Sequence, residues 1–95
     1  MTDNAVRDNQ GQHRFELVVD GHTAVAEYEL AEHTITFTHT VVPPELEGRG
    51  VGGRLVAGAL ADVRARGLRV VPRCAFVRGY IERHPELRDL VARDV

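Results

Sequence analysis

Lysine and tryptophan are absent from this chain, and cysteine occurs once, at Cys74. One cysteine excludes an internal disulfide and a cysteine-rich zinc site, and no metal constellation is visible among the other ligand types. No apolar run approaches the roughly 20 residues that a membrane span needs, and there are no internal repeats or low-complexity segments. The opening Met-Thr-Asp-Asn-Ala-Val-Arg-Asp has no apolar signal core, so the expected location is the cytoplasm. Aromatics are few, two tyrosines and three phenylalanines. Most fall on core phases, which argues against the alternation of cations with exposed rings used to bind single-stranded nucleic acid.

What is present suits one soluble globular domain: 95 residues, 43% hydrophobic and 27% charged. The net charge of −2 hides an uneven distribution. Residues 1–47 carry nine acids against two arginines, or −7, and residues 48–95 carry ten arginines against five acids, or +5. A basic half suits a polyanionic ligand.

Residues 1–12 are polar and aperiodic and are expected to form a loose tail, with a single domain over 13–95. From His13 to Asp20 apolar residues alternate at Phe15, Leu17 and Val19, the pattern of a half-buried strand. Asp20-Gly21 is a hairpin signal. A second strand is expected over His22–Leu30 and a third over Thr34–Val42, where Ile35, Phe37, His39 and Val41 share one face and four threonines the other. Pro43-Pro44 ends it. A helix is expected over Gly50–Arg66, with Val51, Leu55, Ala59 and Val63 on one stripe and Gly67 as its stop. Leu68–Val71 reads as a strand parallel to the third. Helices over Ala75–His84 and Glu86–Ala92 complete an α/β fold: an antiparallel meander, one parallel strand, and two or three helices.

The chain turns on the segment between the third strand and the first helix. Gly48, Gly50, Gly52 and Gly53 sit at that corner, where glycine lets backbone N–H groups approach a ligand and the helix N-terminus is electropositive. Together these form a phosphate cradle. Gly48-Arg-Gly50-Val-Gly52-Gly53 satisfies G-x-G-x-x-G, but a dinucleotide fold does not fit. Only one strand–helix–strand unit exists, an antiparallel meander precedes it, and Pro43–Glu47 separates the strand from the glycines. Nor is there a Gly-Lys-Ser/Thr.

Glu47-Gly-Arg-Gly50-Val-Gly52 resembles the acyl-coenzyme A signature of the GCN5-related N-acetyltransferases, Gln/Arg-x-x-Gly-x-Gly/Ala, followed by the long helix those proteins have. Glu47 departs from it, standing where the family has Gln or Arg. His39-Thr-Val-Val-Pro-Pro and Val71-Pro-Arg-Cys74-Ala-Phe-Val-Arg-Gly-Tyr80-Ile-Glu-Arg-His84-Pro85 are similar to a small Yjdj-type subgroup, and the resemblance spans residues 13–92. It implies acetyl-coenzyme A as co-substrate. Contacts would come from Val41, Val42, Glu47, Gly48, Arg49, Gly50, Val51, Gly52, Gly53, Arg54, Cys74 and Tyr80, with the loop N–H groups on the pyrophosphate. The subgroup lacks the helices that cover the acceptor in larger relatives, which suits an exposed acceptor such as a peptide lysine.

Three side chains are candidates for chemistry. His39, in phase with Ile35 and Phe37, is a general base or a core histidine. Tyr80, by the resemblance, lies near the coenzyme sulfur as a proton donor; otherwise it is a packing residue. Cys74, at a strand-to-helix corner beside Arg73, is an acyl acceptor, a pocket wall or a buried hydrophobe. The expected activity is acetyl transfer to an amine by direct attack on the thioester. The alternatives are a coenzyme A-binding module without turnover and an interaction domain that has lost its ligand.

Overall fold

The computed structural model describes residues 5–93, and its elements follow from the alternation noted above. Strands β2 (Arg14–Val19), β3 (His22–Leu30) and β4 (Thr34–Val41) form an antiparallel meander. Phe15, Leu17, Ala24, Ala26, Tyr28, Ile35 and Phe37 are all buried on one face of it. The β2–β3 connection is the two-residue Asp20-Gly21, with φ of 51° and 79°. That is the positive-φ pair of a primed turn, whose twist matches that of the strands it joins.

Helix α1 (Val51–Ala65) lays Val51, Leu55, Val56, Ala59, Leu60 and Val63 on the sheet. It stops at Gly67 in a Schellman motif: Gly67 N–H bonds Arg64 O and Leu68 N–H bonds Val63 O, both at 3.1 Å. The chain then returns as β5 (Arg69–Pro72), parallel to β4 from Thr34↔Arg69 to Phe37↔Pro72. Helix α2 (Ala75–Arg83) adds Val77 and Ile81 to the same core.

Two expectations change. The segment 7–12, expected as tail, holds a short strand β1 (Arg7–Asn9) paired with β2 and a 3₁₀ turn, Gln10–Gln12. A three-residue strand is too short to show alternation. Tertiary contacts hold it: Tyr28 O–H donates to Asp8 at 2.5 Å, Arg66 donates to the same carboxylate at 2.7 Å, and Asn9 donates to Glu16 at 3.0 Å. The rest of the expected tail, residues 1–4, lies outside the described residues. The expected third helix is a 3₁₀ segment, Pro85–Leu90, pinned by the paired bonds from Arg64 to Asp89. Val91 then bridges Val70 at the edge of β5. Among the described residues no helix is long and apolar enough to cross a membrane.

Between β3 and β4 the register slips by one. Tyr28 pairs with Phe37 but Glu27 pairs with His39, leaving Thr38 as the extra residue of a β-bulge.

Candidate functional site

A cleft opens where β4 and β5 part company. Their pairing ends at Phe37 and Pro72, and Cys74 N–H makes a last bond to Phe37 O at 2.9 Å. The chain then turns away into α2, while β4 runs on to Val41. A wedge results, and Thr40, Val41, Val42, Leu46, Val51 and Phe76 line it, with Glu47, Gly48, Gly50, Gly52 and Gly53 at its outer end. Its volume is about 620 Å³. The 3₁₀ turn Pro44–Leu46 anchors the intervening loop through Leu46, which is wholly buried.

The glycine loop delivers the start of α1 to this cleft. Gly50 is the N-cap with φ 73°, a conformation that favours glycine. The first intrahelical bond is Arg54 N–H to Gly50 O, at 3.1 Å. The N–H groups of Val51, Gly52 and Gly53 precede it and have no carbonyl within the helix to bond. Gly52 answers a different need. A Cβ there would lie 2.6 Å from Phe76 Cζ, so the phenyl ring rests directly on the helix backbone. Glycines at this corner therefore serve both backbone geometry and the close approach of a ring.

The other predicted residues are placed as follows. Arg49 is exposed and pairs with Asp20 of the β2–β3 turn at 2.8 Å. Arg54 is exposed on the first turn of α1 and, among the described residues, makes no ion pair. Glu47 is exposed in the outer rim of the cleft. Cys74 is the N-cap of α2, 8% exposed, with its sulfur 3.3 Å from Thr40 Oγ1.

His39 does not point to the core. The bulge at Thr38 inverts the alternation after Phe37, so His39 shares a face with Glu27 and Thr40 turns inward with Ala26. The His39 side chain is 74% exposed, with Nδ1 3.7 Å from Glu27 Oε1. A strict period of two cannot register one inserted residue, which is why the strand pattern misassigned it.

Tyr80 is not among the residues that line the cleft. Its ring stacks on His84 at 4.0 Å, and His84 Nδ1 lies 2.8 Å from Tyr80 O. It faces a second hollow with Ala57, Ala61 and Leu87, and its edge passes 3.9 Å from where a Cβ on Gly53 would stand. Tyr80 thus lies along the side of α1.

Three lining residues, Leu46, Phe76 and Thr40, escaped sequence analysis. Phe76 stands one helical turn before Tyr80, and its position as a large apolar residue at the exposed start of α2 was the available signal. Thr40 had no signal, because only the bulge turns it inward. With Glu47 it supplies the polar side chains of an otherwise apolar lining.

An anion in this cleft would be met by N–H groups and the positive end of a 15-residue helix, worth roughly half an elementary charge. A family model described as GCN5-related N-acetyl-transferase matches residues 14–90. The NMR solution structure of a GCN5-like protein from Staphylococcus aureus superposes with a TM-score of 0.72 at 25% identity, covering 97% of this chain and 91% of the other. No curated protein matches the chain. With most of its length matched by that model and a wedge between β4 and β5 closed by a glycine loop, the chain belongs to the GCN5-related N-acetyltransferase family.

Proposed function

We propose that this protein is an acetyl-coenzyme A-dependent N-acetyltransferase of the small Yjdj-type subgroup. The observation that carries the reading is the wedge itself: an apolar slot beside the unpaired end of β4 that ends on the free N–H groups of α1. A pantetheine arm is apolar enough for the slot, and a pyrophosphate matches the cradle in charge. The residues present therefore fit the co-substrate. Val41 and Val42 flank the arm, Gly48 to Gly53 hold the phosphates by backbone, and Arg54 is free to neutralise one of them. Glu47 contributes no phosphate contact.

The acceptor amine attacks the thioester carbonyl. A carbon–nitrogen bond forms, the carbon–sulfur bond breaks, the thiolate leaves, and the amine gives up a proton. Seating the thioester in the wedge contributes orientation. His39, with Glu27 beside it on the solvent face, is the candidate to take the amine proton. That face carries exposed Val18, Glu27 and His39, which suits an acceptor presented on a peptide, such as a lysine, rather than an enclosed metabolite. Direct attack is preferred to a Cys74 thioester because Cys74 is nearly closed to the cleft.

One observation favours a second reading. Neither Tyr80 nor His39 lines the wedge, so a coenzyme A-binding module without turnover has the same geometry. Calorimetric titration with acetyl-coenzyme A, followed by thiol release with a panel of amines, separates them. Binding with release supports the enzyme, binding without release the module, and no binding removes both. Intact mass after incubation without amine reads the covalent route. An acetyl adduct that maps to Cys74 and that added amine discharges at the turnover rate would establish Cys74 as acceptor.

A further inference from the structure

Among the described residues four large apolar side chains stand exposed, and two of them, Val41 and Phe76, line the wedge. Val41 ends β4, and Phe76 lies in the first turn of α2. The Phe76 backbone is fixed on both sides. Cys74, the N-cap of α2, donates its N–H to Phe37 O, and the next residue, Val77, is buried in the core. The ring is therefore the part free to shift, and Gly52 decides where it rests. A Cβ on Gly52 would meet Phe76 Cζ at 2.6 Å, Cε2 at 3.2 Å and Cε1 at 3.3 Å. All are atoms of the far half of the ring. Nothing else at this position calls for glycine. Gly52 lies inside α1 and is not among the glycines of positive φ. Alanine there would keep the backbone N–H and is the better helix former.

We propose that Gly52 is a positioning residue for Phe76: by leaving room for the ring on the α1 backbone, it holds that wall of the wedge back and keeps the slot open to a pantetheine arm. This rests on the co-substrate reading and deepens it. A methyl on Gly52 would lift the ring off the helix. Because the ring lines the wedge, it would then stand where the arm has to pass. The phosphates would lose nothing directly, since alanine presents the same N–H to them. Glycine at this position thus serves the apolar arm through Phe76, while the backbone of the same turn serves the anion.

The test is calorimetric titration of acetyl-coenzyme A into the full chain as wild type, Gly52→Ala, Phe76→Leu and the double variant. Leucine has none of the ring atoms that meet position 52, so Phe76→Leu removes the contact and keeps an apolar side chain. Gly52→Ala alone should weaken binding by about tenfold or more, and in the Phe76→Leu background the same change should cost less than about twofold. Thermal melts report folding. If Gly52→Ala does not fold, Phe76→Tyr takes its place. It adds an oxygen to Cζ itself with Gly52 unchanged, and should weaken binding by a similar factor. An equal penalty for Gly52→Ala in both backgrounds overturns the proposal, because Gly52 then acts on the ligand without the ring. Unchanged affinity in Gly52→Ala, or in the tyrosine variant where that one stands in, overturns it as well. A wild-type chain that does not bind removes the co-substrate reading and this inference with it. Wild-type binding with either of the other failures removes this inference alone.

Discussion

His39 and Gly50 show how differently single positions are constrained. His39 touches one carboxylate across 3.7 Å and is mostly in solvent, so its replacement has little packing to lose. His39→Gln should change stability by no more than about 0.5 kcal/mol. If it accepts the amine proton, the same variant should lose about two to four orders of magnitude in acetyl transfer at unchanged coenzyme affinity. Kinetics beside melts and calorimetry check this, and full activity would remove His39 from the mechanism. Gly50 is the reverse case. Nothing stands within 4 Å of where its Cβ would be, but its φ is 73°. Aspartate tolerates that region better than most residues, so Gly50→Asp should fold at a cost of about 1–2 kcal/mol. Its carboxylate would occupy the positive end of α1, and coenzyme affinity should fall at least tenfold, about 1.4 kcal/mol. Unchanged affinity in the folded variant would dismiss the cradle.

Among the elements, β1 is the least self-sufficient. Among the described residues its three residues pair with β2, and the preceding Val6 side chain packs onto α1 at Gly58. A Cβ on Gly58 would lie 2.5 Å from Val6 Cγ2. Alanine in place of glycine within a helix ordinarily gains about 1 kcal/mol. Here that gain is opposed by the displacement of Val6. Gly58→Ala should therefore leave the melting temperature nearly unchanged while loosening the edge strand. Hydrogen exchange resolves this: amides of Arg7 to Asn9 should lose protection while those of α1 keep or gain it. Undiminished protection in β1 would mean that its polar contacts, not Val6, hold it in place. The element that shapes the site is β4, whose single inserted residue exchanges His39 for Thr40 on the inner face.

For the molecule as a whole, the buried Tyr28 couples stability to pH. Burial, and then the hydrogen bond to Asp8, push its phenol above the ordinary value. A raised acid in the folded state contributes stability that is fully present below the unfolded value near 10 and is lost as pH rises beyond it. Tyr28→Phe loses the bond to Asp8, whose other oxygen keeps its bond from Arg66, at about 1 kcal/mol near neutral pH. The wild-type advantage should shrink as pH passes 10, and urea titrations across that range check the sign. A constant difference between the two proteins would show that the phenol ionises alike in both states. The same bond ties β1 to the core, so alkaline conditions should release the edge strand first.

Much of this protein was legible in its sequence, wherever the deciding interactions are local. Alternation located β2, β3 and most of β4, the Asp20-Gly21 pair located the hairpin, and one apolar stripe ending at Gly67 located α1. The glycine corner marked the start of α1 and one end of the cleft, because backbone geometry there depends on residues adjacent in the chain. Tertiary structure alone decided the rest. β1 exists through Tyr28, Arg66 and Gly58, residues far from it in sequence. The bulge at Thr38 is a property of a strand pair, invisible to either strand by itself, and it determines which side chain meets Cys74. Tyr80 lies along the side of α1, not in the cleft. A period of two or 3.6 specifies which face is buried only while the register is unbroken. Here the insertion of one residue, stabilised by pairing across the sheet, reassigns the inner face of the candidate site.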